Sequence, residues 1–133
     1  MFTTKLKVGF ADSDPGGILF YSNIFNYAHK AYEEMIDNYK LKRNYFLDRE
    51  YVIPIIRAEA EYYKPILVHE NITIKVNVAR VENSSFELNY KFYGANRLLK
   101  AAVKTVHVFV KIKDFKKSKL TNELYKNLSA NLS

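Results

Sequence analysis

Only one long stretch of this chain, residues 21–38, carries the 3.6-residue period of an amphipathic helix, and most of the chain beyond it alternates with period two. Within that stretch Ile24, Ala28, Ala31 and Met35 recur on one face, with Tyr27, Tyr32 and Ile36 beside them. Asn26, Lys30, Glu33 and Asp37 take the opposite side. Ser22 or Asn23 is expected to cap the helix. Before it, Leu6, Val8 and Phe10 alternate as a half-buried strand. After it come a strand over 52–63 broken by Lys64-Pro65, then Ile72/Ile74/Val76/Val78, then Phe86/Leu88/Tyr90/Phe92, then 101–111. A short helix is expected within 120–132. One helix and five strands on hairpin-length connections predict an α+β fold, a five-stranded antiparallel sheet wrapped around one helix of roughly 25 Å.

At 133 residues the pattern fits a single domain over 1–133, and 48% hydrophobic with 26% charged residues is ordinary for a packed protein. The chain has no Cys, which excludes disulfides, a thiolate nucleophile and Cys-based metal sites. The opening residues lack the apolar core of a secretory signal, and no apolar run reaches the length of a bilayer span. A cytoplasmic protein without a membrane partner is expected. The net charge of +7, with Lys111, Lys113, Lys116, Lys117 and Lys119 crowded near the C-terminus, suits either a solvated tail or a site for phosphates.

The chemistry is concentrated in Asp12-Ser13-Asp14-Pro15-Gly16-Gly17, between the first strand and the helix. Asp before Pro and Gly is ordinary turn chemistry. Here the turn also sets a carboxylate beside the unpaired amides of a helix start. A carboxylate can attack a carbonyl or activate water, while the amides receive the negative charge that develops on oxygen. That pairing suits an ester or thioester hydrolase. His29, His69 and His107 are scattered without metal-ligand spacing, and no metal site is expected. His107, in an alternating strand, reads as a hydrogen-bonded core residue. Glu33 and Glu34 read as a solvated helix face.

The run Val8-Gly9-Phe10-Ala11-Asp12-Ser13-Asp14-Pro15-Gly16-Gly17-Ile18-Leu19-Phe20-Tyr21-Ser22-Asn23 resembles the signature of hotdog-fold acyl-CoA thioesterases of the 4-hydroxybenzoyl-CoA thioesterase family. Residues 53–56, 62–65 and 105–108 are also similar to that family. With residues 29–33 they lean towards the branch acting on 1,4-dihydroxy-2-naphthoyl-CoA. A Tol–Pal-associated branch with short acyl-CoA substrates shares the signature. The resemblance implies Asp14 as the catalytic carboxylate, as nucleophile or general base, and the Tyr21 backbone amide as the group polarising the thioester carbonyl. It implies a structural role for Asp12, and the substrate-binding set expected here is Gly16, Gly17, Ile18, Asn23, Arg80 and Ser85. Some relatives carry a basic cluster for the CoA phosphates where this chain has Glu82-Asn83-Ser84 before Ser85-Phe86. Arg80, or lysines of a neighbouring subunit, would have to replace it.

The implied reaction needs no metal and no redox cofactor. The implied assembly is a homo-oligomer, a dimer at minimum and a tetramer by resemblance, with an acyl-CoA as substrate. Two other classes compete. A scaffold that binds an acyl thioester without cleaving it would not need Asp14. A nucleic-acid-binding module would use the positive charge, but the lysine cluster is not interleaved with aromatics and no binding motif is present.

Overall fold

The alternating segments assemble much as their period dictates. The computed structural model describes Met1–Ser133 as β1 (Phe2–Lys7), a 3-10 turn (Phe10–Asp12), α1 (Asn23–Asn38), β2 (Tyr51–Val52), β3 (Ile55–Tyr62), β4 (Asn71–Val81), β5 (Ser85–Tyr93), β6 (Leu99–Val108), β7 (Val110–Lys111) and α2 (Asn122–Ala130). This is an α+β architecture. Five strands form one antiparallel sheet in the order β1-β4-β5-β6-β3, while β2 and β7 pair separately. Register lines the inner face up in rows. Ile74 faces Phe92 and then Ala101, Val76 faces Tyr90 and Val103, and Val78 faces Leu88 and Thr105.

Helix α1 packs on that face with Ile24, Tyr27, Ala28, Ala31, Tyr32, Met35 and Ile36 buried, the stripe its sequence period marks. Leu124 and Leu128 of α2 join the same core. Edge strand β3 is different. Nearly all of it is exposed, including Ile56 at 64%, so one side of the sheet ends in an unpaired and partly apolar edge.

Three expectations are corrected. The first strand stops at Lys7, and Phe10 lies in the 3-10 turn with 78% exposure, because the chain turns back there instead of continuing the ladder. The strand expected over 52–63 is two strands with different partners, β2 on β7 and β3 on β6. Pro54 separates them; it has no amide to donate, and its carbonyl accepts the Val108 amide at 3.0 Å. Phe109 likewise divides 101–111, since its amide leaves the ladder for the Ser84 carbonyl at 2.8 Å.

The inner face also holds polar groups, one in each of three neighbouring rows. Tyr90 Oη, Thr105 Oγ1 and His107 Nε2 form a buried chain at 2.9 and 2.7 Å, with the His107 ring stacked on Phe86 at 4.6 Å and beside Tyr32 at 4.5 Å. Burial, helped by nearby His29, pulls the His107 pKa down to about 3, so the folded protein holds it neutral. The unfolded chain takes up that proton near pH 6.5 and the native state does not. This contribution to stability is therefore complete above pH 6.5 and falls steadily towards pH 3. We predict that lowering the pH from 7 to 5 costs the wild type about 2 kcal/mol more than it costs His107→Phe. Urea denaturation at the two pH values checks this; equal losses would refute it.

Candidate active site

The turn that carries Asp14 is closed by its own backbone. The Asp14 amide donates to the Ile18 carbonyl at 2.8 Å and the Gly17 amide to the Asp14 carbonyl at 3.0 Å. Gly17 sits at φ 77°, where a side chain would be strained. Asp14 Oδ1 accepts the amides of Gly16 and Ile18 at 2.8 and 3.3 Å. These two bonds hold the carboxylate in one orientation, and Oδ2 has no partner in the chain.

A segment following β3 clamps the turn from below. The Leu19 amide donates to the Ile66 carbonyl at 2.7 Å and the Val68 amide to the Gly17 carbonyl at 2.9 Å. This segment is tied down by Glu70, whose carboxylate accepts the Lys100 ammonium at 2.7 Å and the Leu67 amide at 2.9 Å. The same ammonium donates to the Pro65 carbonyl at 2.9 Å. Both side chains are nearly buried, 10% exposed for Lys100 and 12% for Glu70. Burial raises the Glu70 pKa, but the bonds from Leu67, Lys100 and Ala95 outweigh it and leave the group below its usual range.

On the helix side, Asp12 is a structural post. Its Oδ2 accepts the Tyr27 hydroxyl at 2.7 Å, and its carbonyl accepts the Phe20 amide at 2.9 Å and Asn23 Nδ2 at 3.0 Å. Burial, reinforced by Asp12, pushes the Tyr27 hydroxyl up to about 12, so it remains a donor. Neither Ser22 nor Asn23 caps α1 with its side chain. Ser22 itself adopts helical angles, and the amides of Asn23, Ile24 and Phe25 turn back to the carbonyls of Phe20, Tyr21 and Ser22. The amides left without a partner at the helix start are those of Tyr21 and Ser22.

Asp14 and Tyr21 line one cavity of about 380 Å³ with Ile18, Tyr62, Tyr63 and Ile66 among its walls. A larger cavity, about 640 Å³, runs along the outer face of α1 beneath residues 40–47. It has mixed charges, and no backbone amide holds its carboxylates Glu33, Glu34 and Asp37 as the turn holds Asp14, so chemistry favours the smaller one. Gly16, Gly17 and Asn23 shape the turn and the helix start beside it.

Arg80 and Ser85 do not join this group within one chain. Arg80 pairs with Glu82 at 3.3 Å and Glu87 at 3.4 Å. Ser85 lies opposite Val108, whereas Tyr62 lies opposite Ala101; that offset along β6 is roughly 23 Å at the usual strand rise. Sequence reading missed Glu70, Lys100 and Tyr27. Each acts through a partner at least 15 positions away, and no local pattern marks such pairs.

A profile of the thioesterase-like superfamily matches residues 8–128. The chain belongs to the thioesterase-like superfamily. Among curated relatives, a protein of Nostoc punctiforme named 1,4-dihydroxy-2-naphthoyl-CoA hydrolase is 25% identical over 131 residues, covering 98% of this chain and 88% of that protein. One of the same name from Gloeothece citriformis is 30% identical over 97 residues, 71% of this chain and 68% of that protein. The crystal structure of a 1,4-dihydroxy-2-naphthoyl-CoA thioesterase from Synechocystis superposes with a TM-score of 0.90 at 21% identity, covering 96% and 95% of the two chains.

In this thioesterase-like chain the Glu70–Lys100 pair is the anchor of the clamp beneath Asp14. Removing the ammonium leaves a nearly buried carboxylate without its counter-ion, and Lys100→Met is predicted to cost roughly 3 kcal/mol in chemical denaturation. Because the Glu70 pKa is depressed in the fold, its own contribution is present above about pH 4.5 and is lost as the pH falls further. A Lys100→Met protein of wild-type stability would show that the pair holds nothing.

Proposed function

We propose that this thioesterase-like protein hydrolyses an acyl-CoA thioester to the acid and free CoA, with an aromatic acyl group. The observation that carries the reading is the meeting of an unpartnered carboxylate oxygen, Asp14 Oδ2, and an unpartnered amide, Tyr21 N–H, on one aromatic-walled cavity. In the general-base form, Oδ2 takes a proton from water as the water oxygen bonds to the thioester carbon. The carbonyl oxygen gains negative charge facing the Tyr21 amide. Collapse of that intermediate breaks the C–S bond, and the CoA thiolate leaves and takes a proton. In the nucleophilic form, Oδ2 itself bonds to the carbon, expels the thiolate and leaves an anhydride for water to open. Both forms use the same oxygen. Single turnover in ¹⁸O-water separates them, because only the anhydride route can leave label in Asp14.

The walls Tyr21, Tyr62 and Tyr63 offer faces for a flat aryl group. Together with the names of the relatives, they support 1,4-dihydroxy-2-naphthoyl-CoA as the first substrate to try. A panel that adds benzoyl, phenylacetyl and short aliphatic esters tests the acyl assignment, and preference for short aliphatic esters would favour the Tol–Pal type instead.

The proposed assembly is a hotdog dimer. In it α1 serves as the central helix inside the curled sheet, and two such dimers make a tetramer. Antiparallel pairing of β3 with β3 of a second copy would cover the exposed edge. It would also bring the far end of the partner's sheet towards this chain's Asp14. At that end stand Ser85 and the exposed Lys113, Lys116, Lys117 and Lys119, none of which forms an ion pair within the chain. These lysines, rather than the already paired Arg80, suit the CoA phosphates. The cytoplasm is the proposed place of action; no helix is long and apolar enough to cross a membrane.

Asp14→Asn is predicted to keep the fold and lower turnover at least about a hundredfold. A thiol-detecting assay reads this, and a near-normal rate would remove Asp14 from the mechanism. Joint replacement of Lys116, Lys117 and Lys119 by Ala is predicted to raise KM for the CoA ester about tenfold. The pantetheine ester lacks the nucleotide phosphates, and its KM should stay unchanged. An equal rise for both esters would place the phosphates elsewhere.

A further inference from the structure

Two consecutive peptide planes meet at Tyr21, and each is held by a different element. The plane before it carries the Phe20 carbonyl, which accepts the Asn23 amide at 2.9 Å, and the Tyr21 N–H, which points the other way and is free. The plane after it carries the Tyr21 carbonyl. The helix's own contact to that carbonyl, from the Ile24 amide, is long at 3.4 Å. The Tyr62 hydroxyl donates to it as well, from the last residue of β3.

Tyr62 is well placed to hold something still. Its backbone pairs with Ala101 in the sheet, and the next two amides, Tyr63 and Lys64, both donate to the Lys100 carbonyl at 2.8 and 3.0 Å. Lys100 in turn is locked by its side chain to Glu70. A rigid strand end thus reaches across to the start of α1, where no side chain caps the helix.

We infer that Tyr62 is a positioning residue for the reaction: its hydroxyl holds the peptide plane after Tyr21 while the Asn23 amide holds the plane before it, and with both planes held the Tyr21 amide keeps one direction towards the thioester oxygen. This rests on the hydrolase reading and adds a residue to it. A donor aimed at a developing charge is effective only when its orientation is set beforehand, and small misplacements are costly. Tyr62 also ties the oxyanion donor to the edge strand that a second copy would cover.

The test is Tyr62→Phe, which keeps the ring in the cavity wall and deletes only the donor. Turnover is expected to fall about tenfold with KM unchanged. The carbonyl stretch of a bound, isotope-labelled aryl-CoA ester, read in Asp14→Asn backgrounds to prevent turnover, is expected to move up towards its value in water. A wall residue would instead raise KM and leave both kcat and the stretch alone, and that result overturns the inference. If the wild type cleaves no CoA ester at all, the hydrolase reading fails first. If it does so, and Asp14→Asn is inactive while Tyr62→Phe is not impaired, only the role of Tyr62 is lost.

Discussion

Burial of the apolar stripe of α1 against the inner face of β4, β5 and β6 is the contact on which the rest of the structure depends. Ile24, Met35 and Ile36, with Tyr27 and Tyr32, each remove a large side chain from water, and each such burial is worth about 1.5–3 kcal/mol. The helix cannot slide or turn without exposing them. Its first residue is therefore fixed relative to the sheet, and with it the point where backbone amides run out of partners.

From that fixed point the site is built by short contacts rather than by one strong interaction. Asp12 joins the turn to Tyr27 in the helix and to Asn23 at its start. Two amides hold Asp14 Oδ1. The Ile66–Val68 stretch supports the turn from below, and Glu70 with Lys100 holds that stretch to the sheet. Each contact is modest by itself. Their combined effect is orientation: Asp14 keeps an unpartnered carboxylate oxygen, Tyr21 keeps an unpartnered amide, and both residues line the same cavity. The lysines proposed for the CoA phosphates lie at the far end of the sheet. Within one chain the candidate site stands at one end of the sheet and the unpaired Lys113, Lys116, Lys117 and Lys119 at the other, which is what the proposed pairing with a second copy would bring together.

Much of this was legible in the residue order. Ile24, Ala28, Ala31 and Met35 announced the buried face of α1 by spacing alone, and the inner residues of β4 and β5 did so by alternation. The carboxylate of Asp14 stood out because Asp, Pro and Gly sit between a strand and a helix. Phe10, Pro54 and Phe109 misled, because alternation continues through them while their backbone bonds do not. The expected cap failed for a related reason. A Ser before a helix suggests a side-chain acceptor, but here Ser22 is already helical and the backbone closes the first turn unaided.

What the sequence determined by itself is whatever depends on neighbours along the chain: which faces are apolar, where turns fall, and that an acidic turn precedes the long helix. Only the tertiary structure decided that Asp14 keeps a free oxygen and Tyr21 a free amide on one cavity, that Arg80 is already neutralised by Glu82 and Glu87, and that Tyr62 reaches the helix start. The reason is physical. Periodicity reports the average environment of a side chain, whereas a hydrogen bond or an ion pair depends on two particular atoms that folding brings within about 3 Å from distant parts of the chain.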